Sequence, residues 1–261
     1  LKLLAQQMTR VYRMPGRFKQ SVAESSWMTW TKFYQQDENA PNAIISYYTK
    51  GSLIALALDL KIRADSQSTK SLDDVLLYLW QNFGAQGVGL EDGEIESICS
   101  KVTGLDLSDF FERFLFGTED LPFYELFKPF GIEFKLQAPT SLDDTGGIEI
   151  SEKTKQLPTF LGANLTPSES SLKITHVWSN QPACTAGLAA GDIIVAINNL
   201  KISSKAQLEQ LLQQATSGQT LSCHYFRRDE LRQTEICLTS PPADRVCLLY
   251  TSPSPRDLGT S

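Results

Sequence analysis

Tyr47-Tyr48-Thr49-Lys50-Gly51-Ser52-Leu53-Ile54-Ala55-Leu56-Ala57-Leu58-Asp59-Leu60-Lys61-Ile62-Arg63 is the stretch on which the reading of this chain turns. No charge falls between Lys50 and Asp59, and from Leu53 onward the residues are good helix formers. A helix apolar around so much of its circumference belongs in a core. Between its charges it is too short to span a bilayer, which takes about 20 apolar residues. At helical spacing Tyr48, Gly51, Ala55 and Ile62 share a face. A tyrosine followed by small residues leaves room for close approach, by a neighbouring helix or by a ligand. On pattern alone Tyr48 is a half-buried core tyrosine with its hydroxyl paired.

Around that stretch the chain has 261 residues, 41% of them hydrophobic, which suits two modest globular domains. A net charge of -6 argues against nucleic acid or an anionic membrane as partner. The five cysteines are odd in number, widely spaced and without a Cys-x-x-Cys pair, so neither a disulfide framework nor a zinc ribbon is expected; a single Cys223–Cys237 bridge stays open. The sequence shows no initiator methionine, signal peptide or membrane span. A chain opening on Leu1 in mid-helix is expected to be a fragment, which leaves the compartment open between bacterial cytoplasm and periplasm.

Upstream of the central helix, residues 1–14 read as the end of an amphipathic helix broken by Pro15-Gly16. Trp27, Trp30, Phe33 and Tyr34 then recur at helical spacing and are expected to pack in the core. Glu24 is assigned a helix-start or hydrogen-bonding role rather than that of a catalytic acid, because no metal-ligating partner lies near it. Downstream, Ser71 with Asp74 reads as a capping box, opening a helix whose buried stripe is Leu72, Val75, Leu76, Leu79, Trp80 and Phe83. Glu91-Asp92-Gly93-Glu94 lacks the alternating ligands of a calcium loop and reads as the acidic start of a helix ending near Gly104. Ser108 is expected to cap a further helix carrying Phe110, Phe111, Phe114 and Leu115.

From Gly131 the period becomes two, in Ile132-Glu133-Phe134-Lys135-Leu136 and again in Ile148-Glu149-Ile150. Pro182-Ala183-Cys184-Thr185-Ala186-Gly187 reads as one helical turn ended by a glycine, and Gly191-Asp192 as a tight turn into the apolar strand that follows. Ser203 or Ser204 caps a helix bearing Leu208, Leu211 and Leu212, and two closing strands follow. This pattern resembles a PDZ domain of the bacterial protease type. The resemblance places the carboxylate-binding loop at Phe160, Leu161, Gly162 and Ala163, beside a helix at 205–215, where an added peptide would leave its C-terminus. Phe160 and Ala163 depart from the usual Gly-Leu-Gly-Phe, so an internal packing role stands beside peptide binding.

Ser46-Tyr47-Tyr48-Thr49-Lys50-Gly51, with Asp37-Glu38-Asn39-Ala40-Pro41-Asn42 before it and Leu58 to Arg63 after it, resembles the glycyl aminopeptidase family of gluzincin zinc metallopeptidases, which carry a C-terminal PDZ domain. The resemblance implies a multidomain α+β architecture. The all-α C-terminal part of a thermolysin-like catalytic domain would occupy 1–130, a β-rich linker 131–157, a PDZ-like β-barrel 158–242, and a disordered or artefactual tail 243–261, whose sequence resembles translated sequencing-adapter read-through. It also implies that Tyr48 is the catalytic tyrosine of a Tyr-x-Lys-Gly motif, donating to the oxyanion of a tetrahedral intermediate. The implied reaction is zinc-dependent removal of small N-terminal residues, glycine or alanine, from peptide substrates. Gluzincins take zinc on a His-Glu-x-x-His helix and a downstream glutamate. His176 and His224, the two histidines here, both fall on strands of the second domain. No zinc is therefore expected on this chain, the cofactor belonging to the full-length protein, and the chain alone is expected to be inactive. A non-enzymatic PDZ module on a helical scaffold is the alternative. A PDZ-bearing serine protease is not expected, since no Gly-Asn-Ser-Gly-Gly motif appears.

Overall fold

In the computed structural model, which describes residues 1–147 and 155–251, helices come first and strands later. The helices are α1 (Lys2–Tyr12), α2 (Val22–Trp27), α3 (Ala40–Ala43), α4 (Tyr47–Asp65), α5 (Leu72–Asn82), α6 (Glu94–Thr103), α7 (Ser108–Phe111) and α8 (Phe123–Phe127). Then follow β1 (Ile132–Gln137), β2 (Ala163–Ser168), β3 (Ser171–Val177), α9 (Pro182–Thr185), β4 (Ile193–Ile197), β5 (Leu200–Lys201), α10 (Lys205–Gln214), β6 (Thr220–Arg227), β7 (Glu230–Cys237) and β8 (Arg245–Tyr250). The chain is a multidomain α+β protein, helical first and then β-rich. Its backbone divides into two units. None of the described helices is long and apolar enough to cross a membrane.

The helical unit comprises Arg17–Gln35, Ile44–Lys135 and the chain from Leu248 on. Ser46 caps α4 by accepting from the Thr49 amide at 3.2 Å. Leu53, Ile54, Ala57, Leu58 and Ile62 are buried along the helix, while Tyr48, Ser52 and Ala55 form an exposed line. Ser71 and Asp74 complete the expected capping box on α5. The acidic run Glu91–Glu94 opens α6, and Gly104 closes it in the left-handed region. Ser108 is the first residue inside α7 and not its cap. Asp106 accepts from its amide at 3.0 Å and from its hydroxyl at 2.7 Å.

Two aromatic expectations fail. Trp27 is 86% and Trp30 78% exposed, so that cluster is no core. The reason is local: α2 ends at Trp27, and residues 29–33 form a wide π-turn in which the Tyr34 amide reaches back to Thr29 O at 3.0 Å. That turn shifts the phase on which helical spacing depends. On α5 only Val75 of the expected stripe is buried, with Leu76 and Trp80 exposed.

The other unit comprises Leu1–Gly16, Gln36–Ala43 and Leu136–Cys247. Its main sheet has the order β2-β3-β4-β6-β7, with β5 paired to β4, all antiparallel. Leu172, Ile174, Ile194, Ile197, Leu221 and Ile236 from the sheet meet Leu208 and Leu212 of α10 in one core. The Pro182 turn forms α9, and Gly187 and Gly191 take the positive φ values that the motif demands, +75° and +92°. Of the two serines before α10, Ser204 is the cap. Asp192 is 1% exposed and accepts a bidentate pair of hydrogen bonds from Arg227, Nε to Oδ1 and Nη2 to Oδ2, each at 2.8 Å. Cys223 faces the core, where burial pushes its thiol up to about 12, and Cys237 is exposed; both are reduced, so the bridge left open between them is not made.

The end of the chain also departs from expectation. Residues assigned to a disordered tail form β8, with Val246, Cys247 and Leu248 buried, because this short apolar run is itself a strand signal. Arg245 of β8 lies 2.8 Å from Asp144 with both side chains buried. The alternation at Ile148-Glu149-Ile150 and the tail beyond Thr251 lie outside the described residues.

Candidate functional site

The start of α4 is assembled by side chains that bind backbone. Gln20 Oε1 accepts from the Ile45 amide at 3.2 Å, and the Ser25 hydroxyl donates to Ile45 O. These bonds fix the chain one residue before the Ser46 cap. Val22 of α2 lies against Gly51, where a Cβ would meet it at 3.6 Å, an ordinary contact. The close approach read from the small residues is thus made by a neighbouring helix.

So placed, Tyr48 is 60% exposed and is no core tyrosine. Its hydroxyl is 3.4 Å from that of Tyr34, and its ring stacks obliquely on Tyr47 at 4.2 Å between centroids. Phe33 supports both rings from the side. Tyr34 and Tyr47 in turn line a cleft of about 1280 Å³ with Trp27, Trp30, Leu115 and Phe116. Its rim carries the carboxylates of Glu24, Glu91, Asp92 and Glu96. Exposed aromatic surface beside acidic groups makes this cleft the candidate binding site. Glu24 hydrogen-bonds Lys32 at 2.9 Å, which holds its carboxyl below the usual carboxylate range. It therefore stays an anion and is unsuited to act as a general acid, in keeping with its assigned hydrogen-bonding role.

Lys50 is the residue whose importance the sequence concealed. It is 1% exposed, and its Nζ donates to Arg17 O at 3.3 Å, while Arg17 itself pairs with Asp120 at 2.8 Å. Burial pushes the ammonium below the ordinary lysine range, with Asp120 opposing and Arg17 adding to the shift. The unfolded chain keeps this proton up to about 10.5, whereas the folded chain releases it earlier. Across that window the unfolded state binds more protons, so stability rises with pH. The contribution is complete above the unfolded value and lost as pH falls through the lowered folded one. Lys50→Met should abolish this rise. Urea denaturation of both proteins from neutral to alkaline pH checks it, and an equal rise in both would disprove the assignment.

The second set of predicted residues lies in the PDZ unit. Leu161 and Ala163 are buried, and Phe160 is half-buried with its amide donating to Thr239 O at 2.8 Å. Gly162 has φ +80°, and a Cβ there would lie 2.3 Å from Gln181 Cβ, so no other residue fits. The loop leads into β2, the edge of its sheet, beside α10. His176 is buried with Nδ1 2.7 Å from Glu38 O, and desolvation lowers its pKa; His224 is half-buried on β6. Among the described residues no three His, Cys, Asp or Glu side chains come together as metal ligands.

A helical region with an exposed tyrosine whose neighbours Tyr34 and Tyr47 line an acidic aromatic cleft, followed in sequence by a β-rich unit, is the class of protein these features define. Residues 1–54 match the M61 glycyl aminopeptidase family and residues 159–238 the PDZ domain: the chain carries an M61 glycyl aminopeptidase region followed by a PDZ domain. An aminopeptidase N family protein from Idiomarina loihiensis, known from a crystal structure, superimposes with a TM-score of 0.90 at 38% identity, over 97% of this chain and 42% of that one. A probable periplasmic serine endoprotease DegP-like protein from Hahella chejuensis is 30% identical over 120 residues, 43% of this chain and 25% of its own. The chain thus spans less than half the length of either.

Proposed function

We propose that this chain is part of a zinc-dependent aminopeptidase that removes small N-terminal residues, glycine or alanine, from peptides. The observation that carries this reading is Tyr48. In the Tyr-x-Lys-Gly run of an M61 region it stands exposed, with its hydroxyl supported by a second phenol. A neutral donor held in place before the reaction begins stabilises the negative charge that develops on the scissile carbonyl oxygen. Tyr48 is the proposed donor, the aromatic shelf orients it, and buried Lys50 anchors the turn of helix beneath it.

Zinc belongs to the proposed whole enzyme. The described residues of this chain do not fit a zinc site, and this chain by itself is expected to hydrolyse nothing. The PDZ half is assigned to peptide recognition. The test is to assay the full-length protein on glycyl and alanyl chromogenic substrates with and without chelator. Activity abolished by chelator and confined to small N-terminal residues is expected. A full-length protein without activity on any aminoacyl substrate would leave a binding module and sink the proposal.

A further inference from the structure

A PDZ groove lies between an edge strand and the helix beside it, closed at one end by the carboxylate loop. Here the strand is β2, the helix α10 and the loop residues 160–163. In this structure the loop end of the groove is filled. The segment before it in sequence returns to lie against both walls. On the helix side, the Leu142 amide donates to Glu209 Oε2 at 3.1 Å, and Asp143 pairs with Lys205 at 2.6 Å. The Leu142 side chain packs on the core cluster that contains Leu161, Leu208 and Leu212. On the strand side, Ser141 and Leu142 face Phe160, Ala163 and Asn164 across a space of about 40 Å³, and Leu142 and Asp143 line a further space of about 300 Å³ with Asn164, Leu165 and Lys205. The first is room for about one water, whose share of liquid volume is about 30 Å³, so the loop end of the groove, where a peptide terminus would lie, is filled while its outer part is not.

The segment is also held in shape. Asp144 accepts from the Thr140 amide at 2.9 Å and from the Gly146 amide at 2.9 Å, and Arg245 clamps its carboxylate. Arg13 donates to Asp144 O and pairs with Asp244 at 3.1 Å. Pro139 O accepts from the Leu157 amide at 2.9 Å, tying the near end to the approach of the carboxylate loop. An apolar side chain packed on the core, flanked by a carboxylate paired with the helix's lysine, imitates the side-chain contacts of a bound peptide, while β2 itself pairs with β3.

We propose that Ser141-Leu142-Asp143-Asp144 is the resident ligand of this PDZ groove and keeps it closed to a peptide C-terminus until displaced. The groove then answers to an apolar-ended peptide that outcompetes Leu142, and the internal and external roles become two states of one site. This rests on the reading of the β2–α10 groove as a peptide site and is independent of the aminopeptidase reading.

The test uses the full chain and fluorescein-labelled short peptides ending in Leu, Val or Phe with a free carboxylate, followed by anisotropy. Leu142→Asp sets a second carboxylate against Glu209, and Asp143→Lys sets a cation against Lys205; both changes lie outside the sheet. Each variant is expected to bind at least tenfold more tightly than wild type. Hydrogen exchange at the Leu142 amide should be slow in wild type and fast in Asp143→Lys. Wild type binding as tightly as the variants overturns the occupancy while leaving the peptide groove standing. Failure of all three proteins to bind overturns the groove itself. Fast exchange at Leu142 in wild type overturns the proposal even where a variant does not fold.

Discussion

Replacing Tyr48 by phenylalanine in the full-length enzyme should lower kcat about a hundredfold or more on glycyl and alanyl substrates, the loss expected for one oxyanion donor, and should leave KM nearly unchanged. In the proposed role the hydroxyl acts on charge that exists only in the transition state, so substrate affinity would not be what suffers. The surroundings make the test a clean one. Tyr48 is 60% exposed, so its loss opens no core cavity, and the ring of phenylalanine keeps the contact with Tyr47 at 4.2 Å. The partner hydroxyl of Tyr34 at 3.4 Å faces solvent and can rebond to water. Steady-state kinetics with a thermal melt as control decides the matter. An active, equally stable Tyr48→Phe enzyme would remove the tyrosine from the mechanism.

Asp192→Ala should be the most damaging single change in the PDZ unit, costing about 2–3 kcal/mol. Removing one partner of a buried ion pair costs about 3–5 kcal/mol, and the figure is reduced because Arg227 is partly exposed and recovers some hydration. Asp192, at 1% exposure, also accepts from the Ala189 amide at 2.8 Å. The change therefore strands a backbone donor in the turn as well as a guanidinium. For a unit of this size about 6–12 °C of Tm is at stake. Calorimetry on the variant checks it, and a shift of a degree or two would show that the pair is dispensable.

The Gly191-Asp192 turn was legible from sequence, and so were the Ser71–Asp74 box, the α6 stop at Gly104 and the Pro182 turn. Each is written in a few adjacent residues whose backbone preferences have no competitor. Tyr48 was legible as a candidate because its motif is local, but its exposure was not, since that depends on what α2 and the π-turn do nearby. Trp27 and Trp30 misled for a related reason: helical spacing fixes a face only while the helix keeps its period. Lys50 reads as a solvent charge until Arg17 and Asp120 are seen closing around it. Arg245 and Asp144 stand 101 residues apart, and no local pattern announces a pair at that distance. The occupation of the groove by Leu142 is of the same kind, because a loop's destination is a tertiary fact.

The bare indoles of Trp27 and Trp30 also bear on how the chain behaves in bulk. A molecule carrying a net charge of -6 repels its copies in dilute buffer, whereas aromatic rings left in water draw them together once they meet. The repulsion reaches about 30 Å at 0.01 M salt and about 10 Å at 0.1 M, while the attraction hardly changes. Ionic strength thus sets the balance between dispersed and clustered protein, and the colloidal state of the chain is governed by the same few rings that furnish its cleft.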